Sequence, residues 1–335
     1  MLAARLPSAL ECGLFVLPET GDILVFGPGA EADLSDLPKD RVLIIEDFYP
    51  DCKTWKNRGY RVEQDLPDAA AAAIICMPRA KNLARKWVAK ASARVSGPIA
   101  IDGAKTAGID SIFKACKKLT LVSEAFSRAH GKLFTIPFSP ERAGAFADWH
   151  ADLAAGPDGF ITAPGVFSEA KIDKGSAILA SALPEKIGRR VADLGAGWGY
   201  LSAQILKNEA VQTLHLVEAG KTALDCAQRN ITDPRAEFHW YDARKVTLPE
   251  PVDAVITNPP FHTGRAADPA LGQAFLINAA KLLTPKGTLW LVANQGLPYE
   301  ATLQEYFRVV DQVVLESGFK VLKATAPKSQ PRAAR

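Results

Sequence analysis

From about residue 190 onward the chain alternates short apolar runs with stretches whose apolar residues recur every three to four positions. The runs "RRVADLGAG", "TLHLVEA", "EFHWYDA", "PVDAVITNPPF" and "GTLWLVAN" read as strands, and helices are predicted between and after them over residues 200–208, 221–230, 270–283 and 299–307. Such βαβ repetition implies a largely parallel, doubly wound sheet, because each parallel pair needs a crossover and the crossover helix covers a face. The last two runs, "VVDQVVLES" and "FKVLKAT", meet at Ser317-Gly318 and read as an antiparallel hairpin closing that sheet. The first half repeats the rhythm more weakly. "DILVFGPGA" is a strand running into a glycine turn, "RVLIIED" a strand ending in acid, and "AAAIICMPR" a strand ending at a proline. A basic helix follows, and "GPIAIDGAKTAGIDSIFKAC" supplies another strand, loop and helix.

A length of 335 residues favours two domains over one core. The Gly- and Pro-rich stretch "FADWHADLAAGPDGFITAPGVFSEAKIDKGSAIL" marks their connection, a loop-rich entry with a short hairpin, and puts the boundary near residue 150. The domains are therefore 1–150 and 151–335. No apolar run approaches the roughly 20 residues of a membrane span, and Pro7 and Glu11 interrupt the N-terminal apolar stretch, so a cytoplasmic protein is expected. Five scattered cysteines without a C-x-x-C or nearby histidine pairs are expected to be reduced and inert, with no metal bound.

Charge is uneven along the first half. Residues 1–78 carry 7 Lys and Arg against 13 Asp and Glu, whereas residues 79–118 carry 10 against 2. The segment "RAKNLARKWVAKASAR" sets Arg85, Lys86 and Lys90 around an apolar stripe of Leu83, Trp87 and Val88. It reads either as an RNA-contacting face or as an ordinary solvated helix.

The chemistry concentrates in the second half. "VADLGAGWG" sets Asp193, Gly195, Gly197 and Gly199 between a strand and a helix, where small residues let backbone approach a ligand. The G-x-G-x-G spacing behind an acid is not the G-x-G-x-x-G of dinucleotide loops, and without a following phosphate-binding lysine it is not a P-loop. An acid there repels pyrophosphate and favours a ligand with a cationic amino-acid end. Glu218 ends the next strand, where a carboxylate can take both hydroxyls of a ribose. Asp242, followed by Ala243, ends the third strand, where it can meet the exocyclic amine of an adenine. Three acids at the tips of successive parallel strands lie on the edge where such sheets bind ligands.

With these residues the chain resembles the class I S-adenosylmethionine-dependent methyltransferases. "DLGAGWG" looks like their first motif, and "NPPF" at 258–261 is similar to the fourth motif of the branch that methylates amines conjugated to a planar system. Together with "PGVFSEAKIDKGSAIL" and "LWLVANQGLPYEATLQEYF", the motifs resemble the small-subunit ribosomal RNA guanine-N2 methyltransferase C family. That likeness implies two tandem Rossmann-like methyltransferase domains, the first degenerate and RNA-binding or structural. It implies S-adenosyl-L-methionine as cofactor, held by Asp193, Gly195, Gly197, Glu218, Asp242, Ala243 and Asn258, and ribosomal RNA or the small subunit as partner. It also puts Phe167 and Ser168, with Lys174 and Gly175, at the cofactor side. Thr263 departs from it, standing where an acidic residue is expected.

An exocyclic guanine amine is a poor nucleophile, because its lone pair is delocalised into the ring. Acceptors at Asn258 and the Pro259 carbonyl, stiffened by Pro260, would take its two hydrogens and turn the lone pair toward the methyl group. Phe261 stands where an aromatic can stack on an everted base, and His262 where it can meet the base edge or a phosphate. The alternatives are a large-subunit guanine-N2 enzyme, protein glutamine N5-methylation, DNA adenine N6-methylation, and a non-enzymatic RNA-binding assembly factor.

Overall fold

The structure, a computed structural model, describes residues 2–150, 154–260 and 269–328. It divides into two units, one of residues 1–154 and 163–165, the other of residues 155–162 and 166–335.

The first unit opens with helix α1 (Leu6–Glu11) and carries strands β1 (Ile23–Phe26), β2 (Val42–Ile45), β3 (Arg61–Glu63), β4 (Ala72–Cys76), β5 (Ile99–Ala104), β6 (Phe126–Arg128) and β7 (Gly131–Ile136). Helices α2 (Tyr49–Asn57), α3 (Lys81–Arg94), α4 (Ile109–Leu119) and α5 (Arg142–Ala145) complete it. The sheet order is β3-β2-β1-β4-β5-β7-β6, parallel except for β7, which runs antiparallel to both its neighbours. Strands β1 and β2 are buried on both faces, which is why they read as unbroken apolar runs and not as alternations.

A short pair, β8 (Ala154–Ala155) and β9 (Ile161–Thr162), precedes the second sheet. That sheet is built from β10 (Arg190–Leu194), β11 (Thr213–Glu218), β12 (Ala236–Trp240), β13 (Val252–Thr257), β14 (Leu283–Asn294), β15 (Phe307–Glu316) and β16 (Phe319–Pro327). Its helices are α6 (Lys174–Ala182), α7 (Tyr200–Ile205), α8 (Lys221–Asn230), α9 (Pro269–Leu282) and α10 (Tyr299–Tyr306). The order, β12-β11-β10-β13-β14-β16-β15, repeats that of the first unit, again with an antiparallel pair at one edge.

Alternate residues of the central strands feed two cores. Ala192, Leu194, Val255, Leu289 and Leu291 meet Phe275, Leu276, Tyr299 and Leu303 of α9 and α10. Val191, Ala254, Ile256 and Val292 meet Leu179, Leu201, Ile205 and Ala227 of α6, α7 and α8. The expected doubly wound α/β class, twice over, is what the molecule has.

Four readings of the pattern need correction. The first sheet also closes with an antiparallel pair, β6 and β7, although neither they nor β3 stood out in the sequence. Helix α6 starts inside the stretch read as connection. Helix α7 is shorter than predicted. In α3 the buried line is Ala84, Val88, Ala89, Ala91 and Ser92, with Leu83 and Trp87 only half-buried, because small side chains let the helix lie close to the sheet.

Candidate active site

The C-terminal ends of β10 and β13 meet in register, Leu194 opposite Thr257, and the Thr257 hydroxyl donates to the Leu194 carbonyl at 2.6 Å. The glycine turn after β10 and the Asn-Pro-Pro turn after β13 are thus held side by side. Gly195, Gly197 and Gly199 all have left-handed φ values (77°, 57° and 93°), which only glycine takes without strain, and the space over Gly197 is open. The Gly195 and Ala196 amides donate to the Val217 carbonyl at 2.8 and 3.1 Å.

An open cleft lies over this turn, lined by Phe167, Ser168, Asp173, Ser176, Gly195, Ala196, Gly197, Trp198, Tyr200, Leu201 and Asn258. Gly195, Gly197 and Asn258 therefore share one cavity. Phe167, 61% exposed, stands at its margin, and Ser168 reaches it through a left-handed turn (φ 55°). Trp198 is buried in an aromatic cluster with Phe160 and Tyr200, and its indole donates to the Phe167 carbonyl at 2.9 Å.

The three acids have distinct surroundings. Asp193 is fully buried; its Oδ2 accepts from the Ser202 hydroxyl at 2.6 Å, which ties the glycine turn to α7, while Oδ1 has no hydrogen-bond partner among the described residues. Burial, reinforced by the charge of Glu218, pushes its carboxyl up to about 7. Glu218 accepts from the Gly197 and Gly220 amides, each at 2.8 Å, so it braces the loop. Asp242 is gripped by the Arg244 guanidinium at 2.8 and 2.7 Å, and the Ala243 carbonyl accepts from Asn278 at 2.9 Å; like Asp193 and Glu218, both lie outside the lining of the cleft.

Asn258 follows β13, with Pro259 buried and Pro260 exposed. Its Nδ2 donates to Asp173 Oδ2 at 2.9 Å and to Ser176 Oγ at 2.8 Å. Asp173 caps α6 by accepting from the Ser176 amide at 2.8 Å. The expectation for Lys174 and Gly175 is corrected by the helix period. Lys174 is exposed and Gly175 packs against Phe319, while the flanking Asp173 and Ser176 face the cleft. Neither was singled out from sequence; the D-x-x-S cap spacing was the available signal. Phe261, His262 and Thr263 lie outside the described residues.

In the first unit, Arg85, Lys86 and Lys90 are half-buried, and the Arg85 guanidinium sits over the Trp149 ring at 5.3 Å. The turn Gly27-Pro28-Gly29, which follows β1 as Gly195-Ala196-Gly197 follows β10, is filled. Gly27 has φ 57° and a Cβ there would strike the Trp87 ring, while the Trp55 indole donates to the Pro28 carbonyl at 2.8 Å. Cys76 stands at the end of β4, in the place that Asn258 takes after β13.

No metal site was read from the sequence, yet β11 and β12 bring His215, Glu237 and His239 together, with donor atoms all within 4.8 Å of one another. His215 Nδ1 lies 3.1 Å from His239 Nε2 and 3.1 Å from Glu237 Oε2. Burial lowers the pKa of both imidazoles.

A glycine turn, braced by an acid on the neighbouring strand and set beside Asn-Pro-Pro, defines a methyltransferase of the small-domain class, and the family model described as "Methyltransferase small domain" matches residues 158–323. Curated relatives are proteins called ribosomal RNA small subunit methyltransferase C. The one from Shewanella sp. MR-4 is 32% identical over 246 residues, 70% of this chain and 71% of that one. The Alteromonas mediterranea protein is 28% identical over 87% and 86% of the two chains, and the Hahella chejuensis protein 38% identical over about half of each (49% and 48%). The chain belongs to the ribosomal RNA small subunit methyltransferase C family. A T. thermophilus 16S rRNA N2 methyltransferase, solved with AdoMet and guanosine, shares the fold, with a TM-score of 0.76 and 24% identity over 92% of this chain and 89% of that one.

Proposed function

We propose that the protein transfers a methyl group from S-adenosylmethionine to the exocyclic N2 amine of a guanine in small-subunit ribosomal RNA. The observation that carries this reading is the cleft shared by Asn258 and the Gly195–Gly197 turn, which puts an amide acceptor beside the glycine turn that backbone-binding ligands approach. Membership of the family, and the names of the relatives, support the substrate.

The cofactor supplies a methyl group already activated by its sulfonium. The chain's own residues position and bind. Glu218 is assigned to the ribose hydroxyls, from its place at the end of β11 beside the glycine turn. Asp242 and Ala243 are assigned to the adenine, and Gly195 and Gly197 to close backbone approach. Asp193, buried beneath the turn and tied to Ser202 of α7, is assigned to hold the glycine turn that receives the cofactor's amino-acid end. Asn258 and the Pro259 carbonyl accept the two amine hydrogens, and the rigid Pro259-Pro260 backbone fixes both acceptors without a general base. Phe261 is assigned to stack on the target base and His262 to its edge or a phosphate. In the first unit, Arg85, Lys86 and Lys90 are assigned to the RNA backbone.

The deciding experiment incubates labelled donor with small subunits, large subunits and naked 16S RNA, and then analyses nucleosides and protein. N2-methylguanine in small-subunit RNA is expected. N5-methylglutamine, methyladenine, or label only in the large subunit overturns the reading. Asn258→Ala should lower kcat roughly 10²- to 10³-fold, the loss typical of removing one preorganised polar group at a reacting centre, with little change in donor affinity. Reversal of charge at Arg85, Lys86 and Lys90 should flatten the salt dependence of RNA binding, by about 0.7 in log–log slope for each lost phosphate contact; an unchanged slope removes the RNA role of this helix.

A further inference from the structure

The acceptor in the cleft is useful only if the Asn258 side chain presents its oxygen, and an amide is close to symmetric in shape. Its orientation must be imposed from outside. Asp173 Oδ2 already accepts from the Ser176 amide at 2.8 Å, so it faces Asn258 as a bare acceptor and tolerates only Nδ2 at 2.9 Å. The second Nδ2 hydrogen goes to Ser176 Oγ at 2.8 Å. Both donor positions of the amide are thereby spent, and among the described residues nothing donates to Oδ1. A flipped amide would set oxygen against carboxylate, an unpaired contact in a half-buried site.

We infer that Asp173 and Ser176 are positioning residues for methyl transfer. Held at the start of α6, they lock the Asn258 amide with its oxygen toward the cleft, and they make asparagine, not aspartate, the residue this site accepts at position 258. The inference rests on the methyl-transfer reading above and adds to it the device that orients the acceptor.

The geometry dictates an unusual pH signature. In Asn258→Asp, two carboxylates face each other at the present Asn258–Asp173 contact, and the pair retains a proton well above the ordinary carboxylate range. With that proton shared, one oxygen of the introduced carboxyl is held by Asp173 and the other faces the cleft as the amide oxygen does now; without it, the two charges push apart and the acceptor is lost.

The test measures kcat of the full chain on its RNA substrate from pH 6 to pH 9 for the parent, N258D, S176A and the double variant D173N/N258D. For N258D, kcat relative to the parent should rise at least about tenfold as pH falls across that range, the change expected of one essential proton. The double variant, which removes the facing charge, should exceed N258D about tenfold or more at pH 8 and lose that pH dependence. S176A should lower kcat several-fold without changing donor affinity. An N258D profile parallel to the parent's, or a double variant no better than N258D, overturns the inference. Thermal unfolding of the same set, read without substrate, should show N258D destabilised and D173N restoring stability in its background; additive effects also overturn it. Parent activity that yields no N2-methylguanine counts against the functional reading alone, since the unfolding cycle, and kcat on whatever product forms, still decide the orientation.

Discussion

At Asp193 the protein keeps a carboxyl where water cannot reach it. The unfolded chain ionises this group near 3.8, while burial holds the folded one at about 7, so between those values the folded state binds a proton that the unfolded state has lost. The sign follows: this residue's contribution to stability is complete below pH 3.8 and is withdrawn as pH rises through about 7. Its slope is at most about 1.4 kcal/mol per pH unit, the value for one proton. Asp193→Asn should abolish that slope, and denaturant unfolding of parent and variant from pH 5 to pH 8 is the check. Parallel curves would mean that the folded carboxyl ionises at its ordinary value. Gly195, Gly197 and Asn258, which share the cleft, could be picked out in the sequence because the glycine run and the Asn-Pro-Pro turn each follow an apolar strand directly. Asp173 and Ser176 could not, since a helix cap and a polar contact 85 residues away in sequence look alike until the fold brings them together.

Among the elements, the paired strands β11 and β12 carry their own pH sensitivity. Burial lowers the pKa of His215 and His239 from 6.5, so below that value the unfolded chain takes up protons more readily than the folded one. Stability from this pair is therefore present above pH 6.5 and lost as pH falls through the lowered folded values. Comparing melting temperatures at pH 7.5 and pH 5.5 should show His215→Leu losing less than the parent on acidification; equal losses would sink the idea. The same scale shows why pattern reading worked where it did. Helix α8 was placed at residues 221–230, as found, because its apolar face is regular and Asn230 ends it. Strands β3 and β6 escaped because each is three residues long with two exposed side chains, too short for an alternation to show, and β7 because "GKLFTI" follows no strong turn signal. Helix α6 was hidden by the glycines and prolines before it.

For the molecule as a whole, two sheets with one strand order carry unequal chemistry. The expected stoichiometry is one donor per chain, measured by titration calorimetry, with binding abolished by a bulky residue at Gly197 in the second unit; two equivalents would contradict the contrast between an open turn and a filled one. Among the described residues no helix is long and apolar enough to cross a membrane. The repeated architecture was legible from the βαβ rhythm in both halves, and the weakness of the first half's motifs, "CMPR" against "NPPF", matched a site whose space has gone to side chains. What the sequence did not disclose is which side chains fill it, since Trp87 and Trp55 come from two different helices.

That tryptophan lid over Gly27 has a bearing on descent. Shrinking Trp87 to readmit a ligand would first give up the packing of this half-buried ring against Gly27 and Phe26, a loss set against a folding margin of only about 5–15 kcal/mol. No single substitution also supplies an acid at Val25 and an amide at Cys76, so no intermediate along the way gains anything for that loss. Reopening this turn to a ligand therefore takes several changes at once, in α3 and at the ends of β1 and β4.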